Sequence, residues 1–401
     1  MIDIKHTIDV VIIGAGMVGA ALASGLAQKG FEVVVIEKAP PPPIFNSLSN
    51  PDLRISAITT SSVTLLKKIK VWPYVLIMRC APYRTQEIWE YQMAHVKFDA
   101  KSLGLTELGY MIENDILKYA LSKRLHNQSV PIFYKKSLKD LQQRYKIWNI
   151  TLNDGISLKA RLVIGADGAY SQVRKLANIG FYFWRYAQSC MLISVLCNYP
   201  PGDNTWQKFT PDGPRAFLPL FGNWALLVWY DKLDRLCQLQ SLTMLKLQKE
   251  IQIHFPSCVG EVMPLVTTIL PLYRSHAKNY ILPGLALVGD SAHTVHPLAG
   301  QGVNLGYRDV SALLDVLIEA REYSDQWFSL EILERYQNQR KKDNYIMQNG
   351  IDVLYFMFNY KFLPLKIMRN LGLMIANYSG KLKKDMLSYG LGLSSSKSQN
   401  L

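Results

Sequence analysis

The amino-acid sequence predicts an α/β protein in which a parallel-sheet frame is interrupted by a second, mainly antiparallel sheet and followed by a C-terminal helical segment. Three observations lead to this fold class. A strand, a glycine-rich turn and a helix follow one another near the start, short apolar runs joined by turn residues occupy about residues 185–235, and a strand followed by a long helix returns near residue 300. Alternating strands and helices are typical of parallel sheets, whereas successive short strands indicate an antiparallel one.

The N-terminal segment has the pattern of a βαβ unit. Residues 10–13 form a continuous apolar run, as expected for a strand that is buried on both faces. Residues 20–28 favour a helix, and Gly30 stands where the end of a helix favours glycine. The β-branched run over residues 31–36 predicts a return to the sheet.

The later elements follow from spacing and composition. In chain order they are helices over about 55–72 and 111–125, a strand over 161–166, strands over 190–197, 216–221 and 224–230, a strand over 285–288 and a helix over about 301–321. Gly222-Asn223 separates two of the short apolar runs, and this dipeptide is typical of a hairpin turn. The middle of the chain therefore predicts a separate antiparallel sheet.

Composition places the chain among globular proteins of a reducing compartment. Hydrophobic residues make up 49% and charged residues 19%, which excludes an intrinsically disordered chain. The five cysteines are an odd number without metal-ligand spacing, which argues against a disulfide framework and against a zinc site. No secretory signal is visible, and no uncharged apolar run reaches the length of about 18 residues that a membrane span needs. We expect a cytoplasmic protein.

The net charge of +14, from 45 basic and 31 acidic residues, favours anionic partners. The lysine runs within residues 67–70 and 135–139 carry no nucleic-acid-binding motif, so nucleic acid is not an expected partner. Basic residues also interleave with apolar ones near the C-terminus: Lys361, Lys366, Arg369, Lys381, Lys383 and Lys384. This pattern is typical of a surface on anionic lipid, of a solvated helix face and of a docking face for another protein, and these interpretations stay open.

Residues 14–19, Gly-Ala-Gly-Met-Val-Gly, match the pattern G-x-G-x-x-G between a predicted strand and a predicted helix. The first glycine allows a tight turn, the second lets the backbone approach a pyrophosphate, and the third lets the helix pack on the strand. An acidic residue at the end of the next strand can accept hydrogen bonds from an adenosine ribose. The predicted ADP-binding residues are Gly14, Ala15, Gly16, Val18, Gly19 and Glu37. This loop alone predicts FAD or NAD.

Two further loops favour FAD. Asp167-Gly168 follows one predicted strand, with Arg174 a few residues later, and Asp290 follows another. An extended FAD needs a carboxylate for its ribitol hydroxyls and donors for the flavin pyrimidine, and a glycine-rich helix N-terminus supplies such donors. An NAD dehydrogenase needs neither this carboxylate nor these donors. The predicted residues of the last segment are Pro297, Gly300, Gln301, Gly302, Val303 and Asn304.

The motifs GAGMVG, GADGAYSQVR and GDSAHTVHPLAGQGVNLG resemble those of the group A flavoprotein aromatic hydroxylases, and more narrowly those of the ubiquinone-biosynthesis hydroxylases. The likeness runs over nearly the whole chain. The stretches YAQSCMLISVLC, TWQKFTPDGPRAFLPLF and WALLVWYD most resemble bacterial members that hydroxylate a polyprenylated methoxy-methyl-benzoquinol. We therefore expect a Rossmann-like FAD-binding domain over residues 1–75, 108–180 and 275–345, a substrate domain over 76–107 and 181–274, and a C-terminal helical segment and tail over 346–401.

The resemblance also implies roles for single residues. Arg54 would lie near the pyrophosphate or ribitol, Asn114 would place its amide against the cofactor, and Asp290 would hold the ribitol. Residues 300–302 would face the flavin pyrimidine.

The motif with Asp167 and Arg174 is implied to serve both FAD and the nicotinamide donor. The sequence departs from the family pattern at three positions. Ser291 replaces alanine, while His296 and Tyr170 each replace asparagine. Ser291 is small enough to be tolerated, whereas His296 adds a titratable group beside the expected flavin.

The implied reaction is ring hydroxylation through a C4a-hydroperoxyflavin, with NAD(P)H as a transient electron donor, O2 as co-substrate and a polyprenyl benzoquinol as substrate. Such chemistry requires a pocket that excludes water. Among the aromatic residues of the inserted sheet, Phe217 and Tyr230 are the candidate substrate contacts, and Phe221, Trp224 and Trp229 are expected to help wall the pocket. No catalytic acid or base and no metal ligand is predicted.

Three alternatives stay open. They are a sister hydroxylase that acts on another ring carbon, an isoprenoid double-bond reductase of the same fold, and a non-catalytic subunit of a quinone-synthesis complex. Other ubiquinone-biosynthesis proteins are expected partners. Because the implied substrate carries a polyprenyl tail, we also expect the protein to make peripheral contact with the inner face of the membrane.

Overall fold

The computed structural model describes residues 6–91, 94–359 and 362–393, which form three β-sheets and surrounding helices, and it confirms the predicted α/β class. In chain order the strands are β1 (Thr7–Ile13), β2 (Val33–Glu37), β3 (Ile55–Thr59), β4 (Ala81–Tyr83), β5 (Thr85–Trp89), β6 (His95–Asp99), β7 (Gly109–Glu113), β8 (Ile132–Tyr134), β9 (Leu138–Arg144), β10 (Ile147–Leu152), β11 (Ser157–Gly165), β12 (Phe181–Cys197), β13 (Asn204–Lys208), β14 (Arg215–Pro219), β15 (Trp224–Lys232), β16 (Val262–Ala277), β17 (Ile281–Leu282), β18 (Leu285–Leu287) and β19 (His293–Thr294). The α-helices are α1 (Met17–Gln28), α2 (Thr60–Lys68), α3 (Trp72–Leu76), α4 (Asn114–Asn127), α5 (Gln172–Leu176), α6 (Leu233–Gln240), α7 (Met244–His254), α8 (Gly302–Tyr323), α9 (Leu330–Asn359), α10 (Leu363–Tyr378) and α11 (Gly380–Leu391).

The first sheet is the parallel frame. Its strand order is β17-β18-β11-β1-β2-β8, and the β9–β10 hairpin joins it beside β11. β1 runs parallel to β11 and β2, and β11 runs parallel to β18. Ile13 pairs with Gly165, and Gly165 pairs with Leu287. Because parallel strands point the same way, the loops that follow these three residues leave the sheet at one edge.

The second sheet has the strand order β19-β16-β12-β15-β14-β13-β5-β6. Its neighbouring strands are antiparallel except for β13 and β5, which are parallel. The predicted turn at Gly222-Asn223 joins β14 to β15, where Leu220 N donates to Trp224 O at 2.9 Å. The antiparallel insertion predicted from the sequence is therefore present.

Two predicted helices begin later than the sequence analysis placed them. Residues 55–59 form β3 and residues 109–113 form β7, and these strands pair with each other in a small third sheet that also contains β4. The helical prediction was wrong for residues 55–59 and 111–113 because a short apolar run fits helix and strand spacing equally well. Pairing between distant segments decides between them.

The C-terminal segment consists of the end of α9 followed by α10 and α11. Among the described residues, none of the helices combines the length and the apolar character that a membrane crossing requires. Lys361, which belongs to the predicted basic surface, lies outside the described residues. The domain boundaries given above stay a prediction.

Candidate active site

The three loops at the edge of the first sheet contact one another directly. Gly14 has a φ of 110°, and a Cβ at this position would lie 2.3 Å from Ala166 O. Ser291 Oγ donates to Gly165 O at 2.6 Å. Arg174 is buried and donates to Ser291 O at 2.7 Å. The predicted loops are thus brought together, and the Arg174 side chain connects them instead of pointing into open space.

The N-terminus of α1 presents unpaired backbone donors, which is the usual basis of a phosphate site. Gly16 occupies the N-cap position, and no side chain caps the helix. A Cβ on Gly16 would meet no described atom within 4 Å, so open space adjoins these donors. Glu37 accepts from Ala15 N at 2.6 Å and from Ala39 N at 2.8 Å, which fixes its carboxylate beside the loop.

Close packing holds α1 against the other two loops. A Cβ on Gly19 would lie 2.0 Å from Gly14 O, so only glycine allows this approach. Val18 packs beside Gly289, where an added Cβ would be 3.3 Å from its methyl groups. Gly19 therefore allows α1 to pack closely on the loops at Gly14 and Ala166, and Val18 packs the helix against the turn that follows β18.

Asp167 caps α5 at the same edge of the sheet. Its Oδ2 accepts from Gln172 N at 2.7 Å and from Val173 N at 3.1 Å. Its Oδ1 is buried and has no hydrogen-bond partner among the residues that the structure describes. Gly168 has a φ of 81°, which glycine adopts without strain. The structure therefore gives Asp167 a local role in shaping the loop, and its contact with FAD stays a prediction.

A cavity of about 460 Å³ lies between these loops and the second sheet. Its frame side carries many of the predicted cofactor residues: Arg54, Asn114, Asp290, Pro297, Gly300, Gln301, Gly302 and Val303. Its opposite side is mainly apolar and includes Cys190, Leu192, Leu218, Val228 and Leu272. One cavity thus has a polar, glycine-rich wall facing an apolar wall.

The polar wall contains groups of opposite charge. The side chain of Arg54 is exposed and forms no hydrogen bond or ion pair with any described residue, so its guanidinium is available. Asn114 accepts from Ser56 Oγ at 2.6 Å, which orients its amide. Asp290 is open to the cavity, yet burial in the surrounding protein raises the pKa of its carboxyl, with His293 opposing this effect.

The segment before α8 brings backbone donors to the cavity. Gly300 has a φ of 62° and ends a short 3-10 turn, and α8 begins at Gly302. The N-terminus of this 22-residue helix therefore borders the cavity with its positive dipole end. Gln301 is 9% exposed, and its Oε1 has no partner among the described residues.

Asn304 differs from its neighbours because its side chain points into the protein. Its Oδ1 accepts from Thr59 N at 3.0 Å, and its Nδ2 donates to Ala57 O at 2.8 Å and to Gly300 O at 3.2 Å. Asn304 is 1% exposed. Its side chain therefore positions the first turn of α8 against β3, and its contact with FAD stays a prediction.

Only one of the two predicted substrate contacts reaches the cavity. Tyr230 lines it, whereas Phe217 stacks on Trp206 with ring centroids 5.5 Å apart in the apolar core beneath α6 and α7. Trp229 lies in that same core. Side chains alternate between the two faces of a strand, so neighbours such as Phe217 and Leu218 point to opposite sides.

His296 and His293 are both buried. His296 Nδ1 accepts from Leu298 N at 3.0 Å, and its ring stacks on Tyr230 with centroids 5.9 Å apart. Burial lowers the pKa of His296 to about 3, so this imidazole is neutral at pH 7. Its Nε2 has no partner among the described residues. These contacts hold the His296 ring in place, and the imidazole that replaces the family's asparagine carries no charge at neutral pH.

His293 belongs to a buried network that supports the turn carrying Asp290. Its Nε2 lies 2.5 Å from Asp309 Oδ2, which also accepts from Gly289 N at 3.0 Å. Arg340 Nε donates to Asp309 Oδ1 at 2.9 Å. Burial alone would raise the pKa of Asp309, but His293 and Arg340 outweigh it and hold that pKa well below its usual range.

The sequence analysis missed the contribution of α11. Met386, Leu387, Gly390 and Leu391 line the cavity, although they are 80 to 85 residues beyond the end of the last glycine motif at Gly306. Met386 is also 47% exposed, which places it at the mouth of the cavity. Their apolar character at helical spacing is the only sequence signal, and it does not identify the surface that they cover.

These residues fit an extended FAD. The open space beside Gly16 suits a pyrophosphate, and the unpaired guanidinium of Arg54 suits an anion. The N-terminus of α8 suits the electron-rich edge of a ring. The individual contacts with FAD are proposals.

Comparison with known proteins agrees with this fit. The FAD binding domain family matches residues 7–344. The 3-demethoxyubiquinol 3-hydroxylase of Escherichia coli (strain K12) is 56% identical over 386 residues, which cover 96% of this chain and 98% of that protein. The mitochondrial ubiquinone biosynthesis monooxygenase COQ6 of Homo sapiens is 30% identical over 436 residues, with coverage of 95% and 92%.

Solved structures show the same fold at low sequence identity. The p-nitrophenol 4-monooxygenase PnpA of Pseudomonas putida DLL-E4 has a TM-score of 0.79 at 17% identity and covers 96% of this chain and 99% of that one. PqsL of Pseudomonas aeruginosa, in complex with 2-aminobenzoylacetate, has a TM-score of 0.75 at 21% identity, with coverage of 92% and 99%.

The fold, the family model and these relatives together define an FAD-dependent monooxygenase of the group A type. The chain belongs to the FAD binding domain family and, within it, to the ubiquinone-biosynthesis hydroxylases. The family and the cofactor expected from the three sequence motifs are thereby confirmed.

The open space beside Gly16 gives a direct test of the phosphate site. We expect Gly16→Val to weaken FAD binding by at least about tenfold, or about 1.4 kcal/mol, because the side chain would occupy the space of the pyrophosphate. Its extended backbone and lack of neighbours allow the variant to fold. Fluorescence titration of the apoprotein with FAD measures the dissociation constant.

Gly350→Val is the matched control, because a Cβ there also meets no described atom within 4 Å and the site lies in α9. It should bind FAD like the unchanged protein. Equal affinity of Gly16→Val and Gly350→Val for FAD would contradict a pyrophosphate at the N-terminus of α1.

Proposed function

We propose that this enzyme hydroxylates the ring of a polyprenylated methoxy-methyl-benzoquinol in ubiquinone biosynthesis, with NAD(P)H and O2 as co-substrates. The observation that carries the proposal is the 56% identity, over nearly the full length of both chains, to a protein named 3-demethoxyubiquinol 3-hydroxylase. The cavity supports it, because its polar wall contains the segment predicted to face the flavin and its other wall is apolar.

FAD, when bound and reduced by NAD(P)H, supplies the activation of O2 that lets one oxygen atom enter the ring while the other leaves as water. The protein contributes position and electrostatics. The N-terminus of α8 directs its positive dipole end at the cavity, which stabilises negative charge on a ring edge placed there. Asn304 holds that helix end in place through Ala57 and Thr59.

Tyr230 is suited to orient the substrate. It lines the cavity, and its hydroxyl forms no hydrogen bond with any described residue. Burial raises the pKa of Tyr230 well above its usual value, so the phenol stays protonated at neutral pH and can donate to a quinol oxygen. Stacking on His296 fixes the plane of its ring.

The apolar wall serves two purposes in this proposal. It limits water near the reacting atoms, which protects an activated oxygen species from wasteful decay. It also suits the methyl, methoxy and isoprenoid groups of the substrate. Met386 lies at the mouth of the cavity, so a long isoprenoid tail could leave the protein beside α11.

Turnover under labelled oxygen tests the proposed reaction. The FAD-loaded enzyme is given short-tailed demethoxyubiquinol, NADPH or NADH, and ¹⁸O2, and the product is analysed by mass spectrometry. We expect one labelled oxygen atom on the ring and dependence of product formation on O2. Label in hydrogen peroxide or water alone, with no labelled quinol, would contradict the proposal.

The same assay separates the alternatives. Hydroxylation only of an earlier phenolic intermediate would indicate a sister enzyme, and saturation of an isoprenoid double bond without O2 would indicate a reductase. A non-catalytic subunit would give two results together. The FAD-loaded enzyme would turn over none of these substrates, and cells whose enzyme folds with bulky residues in place of Gly300 and Gly302 would keep normal quinone levels.

The two faces of β14 and β15 allow a matched test of the substrate wall. We expect Tyr230→Phe to raise the KM for the quinol by about threefold to tenfold and to increase hydrogen peroxide release, because one donor to the substrate is lost. Phe217→Leu, on the opposite face, should lower thermal stability with little change in KM. The reverse pattern would contradict the placement of these two residues.

We also propose peripheral contact with a membrane through α10. An apolar stripe with helical spacing runs along this helix, and its members are between 53% and 84% exposed: Leu363, Ile367, Met368, Leu371, Ile375 and Tyr378. Lys381 and Lys384 at the start of α11 are exposed and suit anionic head groups. Arg369, in contrast, is buried in an ion pair with Glu90, so it does not belong to this surface.

Vesicle sedimentation tests the membrane surface. The double variant Ile367→Glu, Leu371→Glu should bind vesicles of phosphatidylglycerol and phosphatidylethanolamine at least about fivefold more weakly, since each change removes exposed apolar area and adds negative charge. Leu245→Glu, Ile253→Glu on α7 is the control, because it changes two equally exposed apolar residues elsewhere. An equal loss of vesicle binding in both double variants would contradict a membrane contact specific to α10.

A further inference from the structure

Two glutamine side chains line the cavity from the second sheet without a partner of their own. Gln86 of β5 and Gln207 of β13 are both half-buried lining residues. Neither side-chain amide forms a hydrogen bond with the described part of the chain. An amide that is withdrawn from water without a partner costs free energy, so a ligand in the cavity is the expected partner.

The strand register places both glutamines on the cavity face of the sheet. Gln207 pairs with Ala216, and Ala216 pairs with Val228, so these three side chains form one row. Gln86 pairs with Thr205, which precedes Gln207 by two residues and therefore shares its face. The two amides are thus diagonal neighbours on adjoining strands and can reach neighbouring atoms of one ligand.

The same two strands lead toward the segment that is predicted to face the flavin. Phe209 follows Gln207 by two residues and belongs to one apolar cluster with Leu298. Ile88, which follows Gln86 by two residues, packs against that cluster. A ligand that reaches the glutamines is therefore close to the expected flavin.

Tyr230 leaves the same face of the sheet at the other end of this space. Its strand, β15, is two strands away from β13, a separation of roughly 10 Å. This width suits a benzene ring with oxygen atoms on opposite carbons, held between a tyrosine and a glutamine side chain. Thr205 does not compete for the ligand, because its hydroxyl donates to Phe217 O at 2.8 Å.

This face of the cavity is uncharged. None of the described lining residues from the second sheet carries a charge, and Arg54 and Asp290 belong to the frame side. An aromatic acid would need a cation on this face, whereas a hydroxyl and an ether oxygen need one acceptor and one donor. A glutamine amide offers both. The chemistry therefore favours a neutral ring with oxygen substituents on neighbouring carbons.

We propose that Gln86 and Gln207 together bind one hydroxyl of the quinol and the methoxy oxygen on the neighbouring carbon, and so determine which substituted ring the enzyme accepts. This inference rests on the proposed function, with Tyr230 holding the hydroxyl at the opposite end of the ring. An amide N–H donates to the methoxy oxygen, and an amide C=O accepts from the hydroxyl. The unsubstituted ring carbon then lies between oxygens that are held at both ends, which fixes its position.

Paired ligands test this proposal separately from turnover. Short-tailed demethoxyubiquinol, whose ring carries one methoxy group, is compared with the analogue that has an ethyl group in its place. Dissociation constants are measured anaerobically on the FAD-loaded enzyme from the change in flavin absorbance. We expect the unchanged enzyme to bind the methoxy ring at least about fivefold more tightly, because only the ether oxygen can accept from an amide.

The double variant Gln86→Leu, Gln207→Leu should reduce this preference to less than about twofold by weakening the binding of the methoxy ring, and the single variants should give intermediate values. Leucine is close to glutamine in size and the surrounding wall is mainly apolar, so FAD content and melting temperature should stay unchanged. Gln142→Leu, at an exposed position of β9, is the matched control and should keep the full preference.

The proposal is overturned if the double variant keeps the methoxy preference, or if Gln142→Leu loses it equally. An unchanged enzyme that binds both rings with the same affinity also overturns it. Failure of the proposed function looks different, because the unchanged enzyme would then show the methoxy preference in binding but form no hydroxylated ring with NAD(P)H and O2.

Discussion

The parallel register of three strands is the constraint on which the rest of the structure depends. Pairing of Ile13 with Gly165 and of Gly165 with Leu287 brings three loops from distant parts of the chain to one edge of the sheet. The close approach of Gly14 to Ala166 exists only in this register. A slip by one residue would turn every side chain of the strand to its other face and would separate the loops.

The cavity depends on a second set of interactions, which join the frame to the inserted sheet. Asp309 receives hydrogen bonds from Gly289 and Arg340 and contacts His293, so it ties α8 and α9 to the turn after β18. Asn304 ties the start of α8 to β3. Because removal of one partner leaves an uncompensated buried polar group, these contacts hold the cavity wall in one arrangement. The electrostatics of the polar wall follow from that arrangement.

Sequence patterns predicted the frame well because its signals are local. A buried apolar run, a glycine loop and an acidic strand end occur within residues 10–37, and the structure places them as expected. The sequence could not predict which side chains of β14 and β15 point to the cavity. Both sides of this sheet are covered, so apolar residues occur at successive positions and do not alternate with polar ones. Phe217 therefore seemed equivalent to Tyr230, and only packing against α6 and α7 distinguishes them. The wall formed by α11 likewise depends on contacts between distant segments.

The central claim is that these strand ends form one FAD site in each chain. Apoprotein prepared without flavin is incubated with excess FAD, passed over a desalting column and analysed by visible absorbance against protein concentration. The account predicts about one tightly held flavin per chain, as expected for a single glycine-loop site on the parallel sheet. Folded protein that emerges colourless from the column would contradict it.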